Sequence, residues 1–255
     1  IYRNKKEDKS RIIKFWTTEL PLLFFKHRFM IFISSLIFIV SLLIGIISAA
    51  NDSGFTRAIM GDSYVNMTEE NIEHGDPMSV YKKMNETDMF LGITLNNIKV
   101  SFFAFAAGML FSFGTGYMLF TNGVMLGAFE YFFYEHGYLF TSAATVFIHG
   151  VLEISSIIIA GAAGLLLGKS FMIPGTYSRR ESFMNAARDG VKIVIGLIPL
   201  FITAGFFESF VTRHTEMPPA VNLTIIFSSI FFIVWYTSLY PKKVKERMEK
   251  TAEVI

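Results

Sequence analysis

The chain has 255 residues, 52% of them hydrophobic, 16% aromatic and only 17% charged, with a net charge of +2. A soluble domain carries about a quarter charged residues, and here the apolar residues gather into long runs, which excludes a soluble domain and indicates a polytopic membrane protein. The chain has no cysteine, so disulfides, thiol nucleophiles and thiolate metal sites are excluded as well.

Residues 1–28 read as a cytoplasmic and interfacial segment. From Arg11 to Phe25, basic or polar residues alternate with Ile12, Ile13, Phe15, Trp16, Leu20 and Leu22, as in an amphipathic helix lying on the inner leaflet. Pro21 is expected to break it, and Lys26-His27-Arg28 to mark the start of the membrane. Residues 29–50 form the first span. Ser48-Ala49-Ala50 looks like a signal-peptidase site, but the apolar run before it is too long, so the helix is read as retained. Residues 51–90 carry eight acidic and three basic side chains and read as a small helical cap. Within it, Asn66 with Glu69 has the spacing of an N-cap and its capping-box partner, and Asp76-Pro77 that of a cap followed by a first-turn proline.

Residues 91–240 form the remaining membrane core and 241–255 a basic cytoplasmic tail. A crossing helix needs about 20 apolar residues. Asn96 to Phe120, Tyr138 to Gly168, Val191 to Val211 and Leu223 to Tyr240 qualify, and Pro199 is expected to kink one of them. Asn122 to His136 is short. If it crosses, eight basic residues from Arg3 to Arg28, five from Lys169 to Lys192 and five from Lys242 to Lys250 lie inside, against five outside: Arg57, Lys82, Lys83, Lys99 and Arg213. If it only dips and returns, the balance becomes nine inside against fourteen outside. The excess of Lys and Arg on cytoplasmic loops favours crossing. The expectation is an all-α bundle of six transmembrane helices in the inner (cytoplasmic) membrane, the third short, with both termini inside and the cap outside.

Small residues recur at four-residue spacing, which lets membrane helices approach closely. Ala104, Gly108, Ser112 and Gly116 are assigned to the second span, Gly123 and Gly127 to the third, and Ala160, Gly164 and Gly168 to the fourth. Gly114-Thr115-Gly116 and Asn122-Gly123 are expected to bracket a turn between spans two and three. These faces suit packing within one subunit first, and a homodimer seam second.

His149 and Glu153 lie one helical turn apart in an otherwise apolar span, and ionisable residues there are costly to bury. Glu208, Glu130, Asn96, Asn97 and Lys99 fall at similar depth on other spans, so a polar recess opening outward is expected. Three readings compete: a structural interhelical network, a divalent-metal site, and recognition of a polar head group or ion. His and Glu at this spacing can share a metal. No second membrane histidine and no HExxH pattern support it, so no metal or other cofactor is assigned. No nucleophile elbow or phosphate loop is present, and no enzymatic activity is expected.

Several of these residues occur in a characteristic order: Asn96-Asn97, Gly114-Thr115-Gly116, Asn122-Gly123 with Gly127, His149-Gly150-Val151-Leu152-Glu153, Ala160-Gly161-Ala162-Ala163-Gly164, and Pro174-Gly175 before Arg179-Arg180. With Glu208 before Arg213, the set resembles the stage II sporulation protein M family over Asn96 to Arg213. The resemblance implies a membrane anchor for extracytoplasmic peptidoglycan-remodelling partners. The long segment between the first two spans departs from the sporulation members and suits a non-sporulating branch. The opposing expectation is a permease-like protein handling lipid or ions. The expected partners are membrane lipid, a second copy and envelope proteins, with no nucleic acid.

Overall fold

The computed structural model describes residues 9–82, 85–214 and 217–253, which are helical throughout apart from short connections. Lys83, counted above among the outer basic residues, and Arg3, at the start of the first cluster, lie outside the described residues. Among the described residues, five helices are long and apolar enough to cross a membrane: Arg11–Asn51, Glu86–Met109, Leu139–Met172, Arg179–Val211 and Pro219–Thr251.

The first of these begins earlier than hydropathy suggests. Helix α1 (Lys9–Lys14) runs through a π turn (Phe15–Glu19) into α2 (Leu20–Asn51). Pro21 therefore does not break the segment. It occupies the first turn of α2, and the wider π turn before it accommodates the missing N–H. The bend falls instead at His27 (φ −107°, ψ 17°). There Lys26 Nζ and His27 Nε2 both reach Asp189 Oδ2, at 2.7 and 2.9 Å. Nor does this segment simply lie on lipid. Leu20 and Phe24 are fully buried among Ile193, Val194 and Leu197, and Trp16 Nε1 donates to the Gly196 carbonyl at 3.3 Å.

The cap comprises α3 (Phe55–Met60), α4 (Asp62–Glu73) and a 3-10 turn (Ser79–Lys82). Helix α4 starts at Asp62, so Asn66 is not a cap. Asn66 and Glu69 instead share one helix face and hold Arg57 of α3, which donates to Asn66 Oδ1 at 2.5 Å and to both Glu69 oxygens at 2.9 and 2.7 Å. Asp76 takes the Lys82 ammonium at 2.7 Å. The N-cap in this region is Asn85, whose side chain accepts from the Thr87 and Asp88 amides. Val65 and Met78 are buried against Phe132 and Phe133, seating the cap on the bundle. Arg57→Ala is expected to loosen α3 from α4, so that limited proteolysis cuts within 51–82 at least several-fold faster while the bundle melts at an unchanged temperature.

Helix α5 (Glu86–Ala106) ends in a 3-10 turn (Ala107–Met109), and α6 (Phe113–Glu135) starts after a sharp reversal. Phe111 and Ser112 hold left-handed φ values of 52° and 68°, which non-glycine residues adopt only under restraint. The restraint is visible: Phe111 packs on Phe171, and Ser112 Oγ donates to the Leu165 carbonyl at 3.2 Å. The reversal corrects two expectations. The second span does not reach Phe120, and Asn122-Gly123 lies inside α6 rather than at a turn. Helix α6 is also not short: its 23 residues extend about 34 Å at 1.5 Å per residue.

Helix α7 (Leu139–Met172) is central and packs against α2, α5, α6, α8 (Arg179–Phe206) and α9 (Pro219–Val234). A capping box of Ser178 and Glu181 starts α8, which continues through Pro199 and ends in a π turn, Phe207–Val211. Helix α9 passes through another π turn (Trp235–Leu239) into α10 (Tyr240–Glu253), so the basic tail extends the last span. Tyr236 and Tyr240 donate to the carbonyls of Trp16 and Thr17, at 2.6 and 3.0 Å, tying the π turn before α2 to the one after α9.

Most of the small residues meet neighbouring helices of the same chain. Gly108 lies before the reversal, Ser112 within it and Gly116 after it, so no single ladder runs from Ala104 to Gly116, and Gly116 faces open space. A Cβ on Gly164 would strike the Ala104 carbonyl and Thr115 Oγ1, and one on Gly168 would strike Ser112 and the Gly108 carbonyl. Ala160 is fully buried. Gly123 and Gly127 of α6 meet α2, not α5, at Phe38, Ser41, Leu42 and Gly45.

Candidate functional site

His149 and Glu153 project from α7 one turn apart, and the π turn after α8 aims Glu208 at the same place. One ligand atom from each lies within 4.8 Å of the others. His149 is 4% exposed. Its Nδ1 faces Thr212 Oγ1 at 3.1 Å, and its Nε2 stands 3.8 Å from Glu208 Oε2, too long for a hydrogen bond. Glu153 accepts from Asn97 Nδ2 of α5. Among the described residues, no Lys or Arg forms an ion pair with Glu153 or Glu208.

A cavity of about 360 Å³ opens beside this cluster, lined by Asn97, His149 and Glu153 on the bundle side and by Met60, Tyr64 and Tyr81 from the cap. Tyr81 meets the His149 ring edge-on, with centroids 5.9 Å apart. Burial, reinforced by the nearby Glu208 carboxyl, pushes the Tyr81 phenol well above its usual range, so this side chain stays a neutral lid at physiological pH.

The other expected members separate from the cluster. Asn96 and Lys99 are exposed on α5, because only one face of that helix meets α7 and Asn97 takes it. Glu130 lies on α6 beside the Ser142 hydroxyl and outside the three-residue set. Sequence reasoning missed Thr212, Tyr64, Tyr81 and the cavity-lining Asn122. Thr212 adjoins Arg213 but carries no pattern of its own, and the two tyrosines sit in a segment whose path over the bundle no periodicity reveals.

The opposite half of the bundle is closed by backbone-to-backbone approach at Gly108–Gly164, Gly164–Ala104 and Gly168–Ser112. Long helices with apolar outer surfaces (Phe32, Ile39 and Ile47 on α2, Phe227 and Phe231 on α9) and a polar recess near one end define a multi-pass integral membrane protein. The chain belongs to the stage II sporulation protein M family, whose profile matches residues 34–213. It is also 24% identical over 190 residues, 73% of this chain and 83% of the relative, to an uncharacterized protein of Methanocaldococcus jannaschii. No solved structure matches it significantly.

Proposed function

We propose that the protein is a non-enzymatic anchor of the cell envelope. Six helices, α6 included, cross the cytoplasmic membrane with both termini in the cytosol, and the cap on the far side docks extracytoplasmic partners, wall-remodelling proteins among them. The distribution of Lys and Arg supports this orientation. The single observation that carries the docking role is the seated cap. Arg57 pins α3 to α4, Val65 and Met78 are buried on α6, and Asp62, Glu70 and Glu73 are left exposed on its outer surface. A fixed acidic face of this kind suits a basic protein surface.

The test is cross-linking in native membranes with the triple variant Asp62→Lys/Glu70→Lys/Glu73→Lys as control. The anchor reading expects the unaltered chain to capture a defined envelope protein, and expects capture to fall about tenfold or more on charge reversal at unchanged melting temperature. Equal capture by both proteins contradicts it.

A permease-like or lipid-handling role is favoured by one observation, the cavity beside His149 and Glu153. A route through the bundle would also require the glycine contacts in its other half to part, and vesicles containing the purified protein are expected to move neither ions nor lipid. The symmetric dimer draws no support from the glycine faces, which pack against neighbouring helices of the same chain.

A further inference from the structure

We infer that His149, Glu153 and Glu208 form a site for one first-row divalent transition-metal ion beneath the cap. This deepens the anchor reading, on which it rests for the recess opening away from the cytosol, by naming what the recess holds. Three observations carry it. First, the three ligand atoms surround a gap rather than bonding to one another: Nε2 and Oε2 of Glu208 are 3.8 Å apart and all three atoms fall within 4.8 Å. Around an ion with bonds of about 2.0–2.2 Å, tetrahedral neighbours are about 3.4 Å apart, so side-chain movements of about an ångström close the set.

Second, the supporting contacts are those of ligands. Thr212 holds Nδ1 of the imidazole and leaves Nε2 to the gap, and Asn97 orients Glu153. Outer contacts of this kind fix ring and carboxylate direction in metal sites. Third, two half-buried carboxylates flank the buried His149, and among the described residues no Lys or Arg forms an ion pair with either. A divalent cation balances two carboxylate charges in surroundings where unpaired charge is expensive. One imidazole and two carboxylates suit zinc, manganese or ferrous ions better than magnesium or calcium. The cavity leaves a fourth position open to water or to a partner's side chain, under Tyr81.

The experiment strips the full chain in nanodiscs with a chelator and titrates it calorimetrically with Zn²⁺, with Mg²⁺ in parallel. One Zn²⁺ per chain is expected, with Mg²⁺ much weaker. His149→Ala and Glu208→Gln are expected to weaken Zn²⁺ about tenfold or more, whereas Glu130→Gln leaves it unchanged. Should those variants fail to fold, Thr212→Val keeps every ligand and is still expected to weaken binding about tenfold, and X-ray absorption of the wild-type zinc form is expected to show one imidazole. No saturable one-to-one binding, equal binding after Glu208→Gln or Thr212→Val, or an all-oxygen shell overturns the inference. If zinc fails to bind while the cap still captures its partner, the ion is wrong and the anchor stands. If zinc binds and capture fails, the anchor reading falls alone.

Discussion

Gly164→Leu is expected to destabilise the bundle by about 3 kcal/mol, at the upper end of what over-packing usually costs. At this position α7 meets the Ala104 carbonyl and Thr115 Oγ1 so closely that no Cβ fits. A flexible side chain could swing aside, but the Ala104 carbonyl belongs to α5 and can retreat only if the helix does. The loss is therefore shared by every contact along that seam, including the Thr115 hydrogen bond to Ala104 at 2.6 Å. Gly116→Leu is the matched control. Nothing lies within 4 Å of its Cβ position, and removing a glycine from a helix interior is worth up to about 1 kcal/mol. Thermal melting in detergent should thus fall sharply for the first variant and hold or rise for the second.

Asn97→Leu is the second large expectation. The amide is the hydrogen-bond donor to Glu153 in a mostly apolar setting. A typical intramolecular hydrogen bond contributes about 0.5–1.5 kcal/mol, and a buried acceptor stripped of its donor carries a desolvation cost of about 1–3 kcal/mol. The single substitution is expected to cost about 2–3 kcal/mol on that basis. Asn97→Leu combined with Glu153→Leu should cost clearly less than the two singles added, because no carboxylate is then left without its partner. Chemical denaturation of the four proteins gives the coupling. Additive losses would mean that Glu153 takes its support elsewhere.

How far the sequence leads differs from element to element. Helix α7 is legible almost to its ends, because a long apolar run carries its own boundaries in length and hydropathy. The one-turn spacing of His149 and Glu153 by itself puts both on one face of that helix. The reversal at residues 110–112 is not legible. It falls in a stretch from Ser101 to Phe120 with neither proline nor charge, and it depends on left-handed conformations at Phe111 and Ser112 that only tertiary contacts with α7 sustain. That one break divides the small-residue ladder expected on the second span, places Asn122-Gly123 inside a helix and lengthens α6. Asn66 and Glu69 mislead in another way. The spacing that makes a capping box also puts two acceptors on one face of a helix interior, where Arg57 uses both. Gly123 and Gly127 of α6 pair with Ser41 and Gly45 of α2, and spacing within a helix says nothing about which neighbour it meets.

The same limit applies to the recess. Glu208 can be placed near the end of its helix from hydropathy, but the π turn that aims it at His149 and the cap residue that covers the imidazole are properties of the assembled bundle. Joining them is what turns three costly side chains into one site.

The absence of cysteine from the chain allows the central claim to be tested without background. Cysteines replacing Tyr81 and His149, whose rings lie 5.9 Å apart, are treated in membranes with a short bifunctional thiol reagent, and the link is read by mass spectrometry. The account expects an efficient intramolecular cross-link between the cap and α7, and none when the second cysteine replaces Lys99 instead. Equal yields for the two pairs, or no link from 81 to 149, would show that the cap does not close over the ionisable cluster.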